Sequence, residues 1–126
     1  MKQIWIVDDD EEMVSAIRLM LKLLDYEAHH FFSARLAAQT LLAGEKPDLL
    51  ILDINMPEVT GIDFLEFLRR RAEWKSLPVV MLSTEAADVM VDKAMSIGAD
   101  AYVTKPVALE ELEGAMNKAF KAHGIN

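Results

Sequence analysis

Apolar residues recur along this chain with two alternating rhythms. Short apolar runs at Gln3–Val7, 49–52, 79–82 and Ala101–Thr104 have the length of strands. The unbroken aliphatics of Leu49, Leu50, Ile51 and Leu52 suit a strand covered on both faces. A more polar stretch at 26–32 predicts a weaker strand. Between these runs the spacing becomes helical. From Met13 onward, Val14, Ile17, Met20, Leu21 and Leu24 fall on one stripe. Leu36, Ala37 and Leu41 follow Ser33, a suitable N-cap, and Gly44 closes that helix. Ile62, Leu65 and Leu68 mark a third helix, and residues 87–97 a small-residue helix stopped by Gly98. In the last helix, which follows Ala108 as its N-cap, Leu109, Leu112, Met116, Ala119 and Phe120 share a face. Strand and helix alternate five times. Short connections and right-handed crossovers then predict an α/β fold, a doubly wound five-stranded parallel sheet with helices on both faces.

The exceptions to this pattern carry information of their own. His29 and His30 are adjacent, so on a strand they face opposite ways and cannot chelate one metal together. One of Phe31 and Phe32 must leave the buried face, and is expected to pack beneath a neighbouring helix. Arg69-Arg70-Arg71 ends the third helix, where cations suit the dipole better than they suggest an anion site. Asp10, Glu11 and Glu12 likewise suit a helix N-terminus. Asp8 and Asp9 are not explained that way, because their mutual repulsion at a strand end costs energy unless a cation is shared.

Composition narrows the classes. The 126 residues with 52% hydrophobic content and few Pro or Gly suffice for one folded domain, residues 1–126. No apolar run is long enough to span a membrane, and the strand pattern begins without a visible signal peptide. The absence of Cys excludes disulfides and thiolate metal sites and suits a cytoplasmic protein. With 21 acids against 13 bases, direct nucleic-acid binding is disfavoured.

In open α/β sheets, chemistry collects at the carboxyl ends of the strands. The first strand ends in Asp8 and Asp9, the third in Asp53, the fourth in Ser83 and the fifth before Lys105. Three carboxylates brought to one edge need compensation. An all-oxygen donor set points to Mg²⁺ or Mn²⁺ over Zn²⁺. A metal, an ammonium and a hydroxyl around one carboxylate are the parts that stabilise a transferring phosphoryl group.

Val7-Asp8-Asp9, Leu52-Asp53-Ile54-Asn55-Met56-Pro57 with Gly61, Leu82-Ser83 and Tyr102-Val103-Thr104-Lys105-Pro106 together resemble the response-regulator receiver domain of two-component signalling. The resemblance covers the whole chain and implies a flavodoxin-like sheet of order 2-1-3-4-5. It implies that Asp53 accepts a phosphoryl group from a sensor histidine kinase or histidine phosphotransfer protein. Asp9 and Asp53 would coordinate Mg²⁺ with the backbone carbonyl of Asn55, and Asp8 mostly through water. Lys105 would pair with phosphoryl oxygens, Ser83 and Tyr102 would act as switch residues, and Asn55 and Glu85 would set the rate of phosphoryl loss. The chain would catalyse its own phosphorylation and dephosphorylation without being a conventional turnover enzyme. Its output would be an unidentified protein or effector domain, or a phosphorylation-dependent homodimer through the fourth helix, fifth strand and fifth helix.

Three positions depart from the family pattern. Thr84 follows Ser83 where a very small residue is common, narrowing access to the site. Val107 stands where Phe often follows Lys-Pro, and Ala101 where the winged-helix branch commonly has Asp in a charged dimer interface. None removes a chemical group from the site. A haloacid dehalogenase-type phosphatase would need an acid at Asn55, and a flavin site a hydroxyl-rich loop after the first strand. A phosphorylation-independent interaction module would fit loss of an acid or of Lys105, and both are kept.

Overall fold

Strand and helix alternate through a computed structural model that describes residues 1–84 and 87–125. The order is β1 (Gln3–Val7), α1 (Glu11–Leu23), β2 (Glu27–Phe31), α2 (Ala34–Leu42), β3 (Leu49–Asp53), α3 (Gly61–Arg69), β4 (Val79–Ser83), α4 (Asp88–Ile97), β5 (Ala101–Thr104) and α5 (Leu109–Ala122). All five strands are parallel, in the order β2-β1-β3-β4-β5. The order reverses after β1, so β1 and β3 lie side by side and their carboxyl ends open on one crevice.

The period of two in the strands sorts the core into two layers. Trp5, Val7, Leu50, Leu52, Val79 and Met81 face Ala37 and Leu41 of α2 and Ile62, Leu65 and Leu68 of α3, with Ala94 of α4. Ile4, Ile6, Leu49, Ile51, Val80 and Leu82 face Val14, Ile17 and Leu21 of α1 and Leu112, Met116 and Phe120 of α5. Every residue of β3 and β4 is buried, whereas the edge strands β2 and β5 are only partly covered. That explains why β3 reads as continuous aliphatics and β2 does not. Each fully buried Leu or Ile of β3 contributes roughly 1.5–3 kcal/mol of transfer free energy.

The start of α1 agrees with the acids placed at its N-terminus, and three other local details differ from the sequence pattern. Helix α1 begins at Glu11, two residues before its apolar stripe, because Asp10 caps it by accepting from the Glu12 and Met13 N–H groups. Strand β2 is shorter than the stretch expected at 26–32 and leaves Tyr26 and Phe32 outside. Phe32 does not pack beneath a helix. Phe31 takes the buried side against Trp5, with ring centroids 4.7 Å apart, and Phe32 is 49% exposed, its ring edge-on to His30 at 4.0 Å. The arginine triplet also divides. Arg69 turns inward, pairing with Asp100 at 3.2 Å and donating to the carbonyls of Gly98, Trp74 and Lys75, while Arg70 and Arg71 pair with Glu66 and Glu73 at the surface.

Candidate functional site at the carboxyl edge of the sheet

Asp53 is the last residue of β3 and is 3% exposed. Beyond it the chain reverses in a tight loop. The Ile54 N–H donates to Leu82 O at 2.9 Å, and Gly61 N–H donates back to Ile54 O at 2.9 Å. This closure brings the first residue of α3 against the end of β3. A Cβ at position 61 would collide with the Asp53 carbonyl oxygen and lie 2.8 Å from Ile54 Cα. Glycine is thus required at 61 for close approach. Met56 tucks into the core while Asn55 and Pro57 face outward, and Thr60 caps α3 through the Asp63 N–H.

The β1 end is held just as closely. Asp8 is fully buried, and its N–H donates to Phe31 O at 3.1 Å, extending the β1–β2 ladder by one bond. One carboxylate oxygen, Oδ1, accepts from Asp10 N–H at 2.9 Å. The Asp8 carbonyl lies 2.8 Å from His30 Nε2. Asp9, next in sequence, is exposed. The pairing of Val7 with Leu52 places Asp8 alongside Asp53.

Lys105 follows β5, and its N–H donates to Ser83 O at 2.8 Å. Its ammonium lies 3.0 Å from Asp8 Oδ2 and 3.3 Å from Asp53 Oδ1. Carboxylate atoms of Asp8, Asp9 and Asp53 lie within 4.8 Å of one another. Asp8 Oδ2 is buried and, although beside the ammonium, makes no hydrogen bond among the described residues. An all-oxygen cluster around a buried carboxylate oxygen that only an ammonium faces fits a hard divalent cation, to which Asp8, Asp9 and Asp53 can contribute ligands.

The electrostatics follow from this crowding. Burial first, and the Asp8 carboxylate second, push Asp53 from an ordinary 3.8 up to about 6, against the opposing pull of Lys105 and the Asn55 N–H. Burial alone would lower Lys105, but the Asp8 and Asp53 carboxylates outweigh it and the ammonium is held above its ordinary range. The site therefore holds a carboxylate that is costly to ionise beside a cation that is costly to neutralise.

Ser83 is fully buried at the end of β4, one residue beyond Leu82, the register partner of Asp53. Tyr102 is half-buried on the edge strand β5 and packs against the core layer shared with α3 and α4. Thr84 is exposed, and Val107 and Ala101 are buried. Glu85 lies outside the described residues. Sequence reasoning missed His30. The alternation of β2 separates it from His29, which instead meets Gln3 Oε1 at 2.8 Å, but only the lateral register shows that His30 reaches β1.

The family model for the response regulator receiver domain matches residues 4–117. Among curated proteins, the KDP operon transcriptional regulatory protein KdpE of Escherichia coli (strain K12) is 34% identical over 126 residues, covering 98% of this chain and 53% of the relative. The transcriptional regulatory protein BasR of the same organism is 34% identical over 123 residues, covering 96% of this chain and 53% of its own. The chain spans about half the length of these relatives. Among solved structures, the Vibrio cholerae chemotaxis protein CheY4 superposes with a TM-score of 0.85 at 26% identity, covering 94% of this chain and 98% of that one.

Proposed function

The chain belongs to the response-regulator receiver domain family, and from that premise we propose that Asp53 is its phosphoryl acceptor. A receiver of this family is a phosphorylatable element of two-component signalling whose partner is a histidine kinase. The observation that carries the assignment is the placement of Asp53, buried at the end of the central strand with Lys105 3.3 Å away and two further acids around it.

Transfer would proceed by attack of an Asp53 carboxylate oxygen on the phosphorus of a phosphohistidine. The O–P bond forms as the P–N bond breaks, and the electron pair leaves with the imidazole nitrogen. Lys105 faces the developing negative charge on the phosphoryl oxygens, and the Ser83 hydroxyl donates to one of them. Hydrolysis is a second displacement on the same phosphorus: a water oxygen forms the new P–O bond, the Asp53 O–P bond breaks to restore the carboxylate, and inorganic phosphate leaves, with Asn55 and Glu85 orienting the water and so setting the rate. Receiver domains bind Mg²⁺ at an acidic pocket. Here Asp9, Asp53 and the Asn55 carbonyl would hold the ion directly and Asp8 mostly through water. When bound, Mg²⁺ neutralises charge between the carboxylates and the incoming phosphoryl group.

The output surface we propose is the face of α4, β5 and α5. Helix α4 is lightly fixed. Ala87 provides no side-chain cap, and Ala94 is the helix's one fully buried residue among those described. A phosphoryl group that favours one position of Ser83 and Tyr102 would shift α4 between arrangements, by no more than its differential affinity for them. The recipient is an effector domain, a separate protein or a second copy of the chain. No helix among the described residues is long and apolar enough to cross a membrane, and a cytoplasmic location accords with this reading.

Beryllofluoride with Mg²⁺, followed by amide NMR, tests the proposal. Shifts are expected at the 53–61 loop, at α4 and at Tyr102, and none without Mg²⁺. An Asp53→Asn variant that responds like the parent would exclude Asp53.

A further inference from the structure

We propose that His30 is a positioning residue for the metal-binding carboxylates, fixing the peptide that joins Asp8 to Asp9. The inference rests on the metal reading above and concerns which of this chain's own residues prepares that site.

His30 Nε2 lies 2.8 Å from the Asp8 carbonyl oxygen. A carbonyl can only accept, so the hydrogen sits on Nε2 and the histidine donates. The ladder between β1 and β2 ends with Val7 opposite Phe31, followed by the bond from Asp8 N–H to Phe31 O. Among the described residues no backbone N–H bonds the Asp8 carbonyl, and the His30 side chain holds it instead. Asp8 is thereby held from both sides of its main chain.

That carbonyl belongs to the peptide plane between the two acids. The Asp8 side chain is buried and fixed by Asp10 N–H and Lys105, but Asp9 is exposed. No burial orients the Asp9 carboxylate, so the preceding peptide is what anchors the residue that carries it. Rotation of that plane would swing Asp9 away from Asp53, and the His30 bond opposes that rotation.

The same arrangement accounts for Phe32. Leaving a phenyl ring about half exposed forgoes burial energy, yet this ring stands edge-on to His30 at 4.0 Å and narrows the freedom of the imidazole. His29 faces the opposite side and meets Gln3, so the pair of histidines is divided between a surface contact and the site. Ligand-orienting hydrogen bonds of this kind tune metal affinity even when they do not touch the ion.

Isothermal titration of the full chain with Mg²⁺ at fixed pH is the test, joined by ¹⁵N relaxation of the Asp9 amide in metal-free protein. His30→Ala should weaken Mg²⁺ binding roughly tenfold and increase the mobility of the Asp9 amide. Phe32→Ala, at an exposed position, should act in the same direction by less. His30→Gln should recover part of the loss, because its amide N–H can also donate. Wild-type affinity in His30→Ala overturns the inference, as does a loss that His30→Gln fails to relieve, which would mark packing alone. Failure of the parent protein to bind Mg²⁺ would defeat the metal reading itself. The Asp9 amide would then decide the positioning role, with no added mobility in His30→Ala overturning it.

Discussion

The Lys105 ammonium sits between two buried acids, 3.0 Å from Asp8 and 3.3 Å from Asp53. One cation therefore serves two carboxylates, and its removal leaves both unpaired. Lys105→Met should destabilise the metal-free protein by up to about 3–5 kcal/mol near pH 8. The loss should shrink near pH 5, where Asp53 can take up a proton. Urea denaturation of parent and variant at the two pH values checks this, and an equal loss at both would mean that Asp53 does not share the ammonium.

The raised Asp53 carboxyl predicts the pH dependence of the metal-free fold. Unfolded, the group titrates near 3.8; folded, near 6. Folding thus favours the protonated form. The stabilisation is fully present below the unfolded value and is lost as pH rises through about 6. Denaturation midpoints measured without metal should fall over this window in the parent and be flatter in Asp53→Asn. Added Mg²⁺ should stabilise the parent most at the high-pH end, because the ion needs the ionised carboxylates.

Gly61 should tolerate no side chain. Its Cβ would strike the backbone of Asp53 and Ile54, neither of which can move without displacing the end of β3. Gly61→Ala should cost about 1–3 kcal/mol and shift the Asp53 and Ile54 amide resonances. Parent-like stability with unchanged resonances would show that the loop yields more easily than this packing implies.

Helix α5 offers two independent gains. Ala108 occupies the N-cap with extended backbone and no side-chain hydrogen bond, so the first-turn N–H groups lack a side-chain acceptor there. Ala108→Asp should add roughly 0.5–2 kcal/mol. Gly114 lies within the helix, and an added Cβ would meet nothing within 4 Å. Gly114→Ala should add about 1 kcal/mol. Chemical denaturation of the single and double variants should show nearly additive gains.

The sheet was legible in the sequence because β3 and β4 are covered on both faces and so consist almost wholly of apolar residues. The ends of elements were less legible. Asp10 reads as one of three acids at a helix N-terminus, but its role as the side-chain cap depends on an extended backbone that periodicity cannot reveal. Arg69 reads as a last-turn cation, but its partners Asp100 and Gly98 are about thirty residues away and meet it only through the packing of α3 against α4. The site residues were legible as strand-end chemistry because strand ends converge by topology. His30 was not, because its link to Asp8 runs laterally between neighbouring strands.

Whether the phosphoryl group resides on Asp53 is decided by locating the bond chemically. The protein would be phosphorylated with acetyl phosphate and Mg²⁺, reduced with borohydride to convert an aspartyl phosphate to homoserine, digested and sequenced by mass spectrometry. With Asp53 as the acceptor, homoserine appears at position 53, dependent on Mg²⁺. Homoserine at position 8 or 9 instead, or a stable phosphate on a serine, threonine or histidine with Asp53 unmodified, would contradict that assignment.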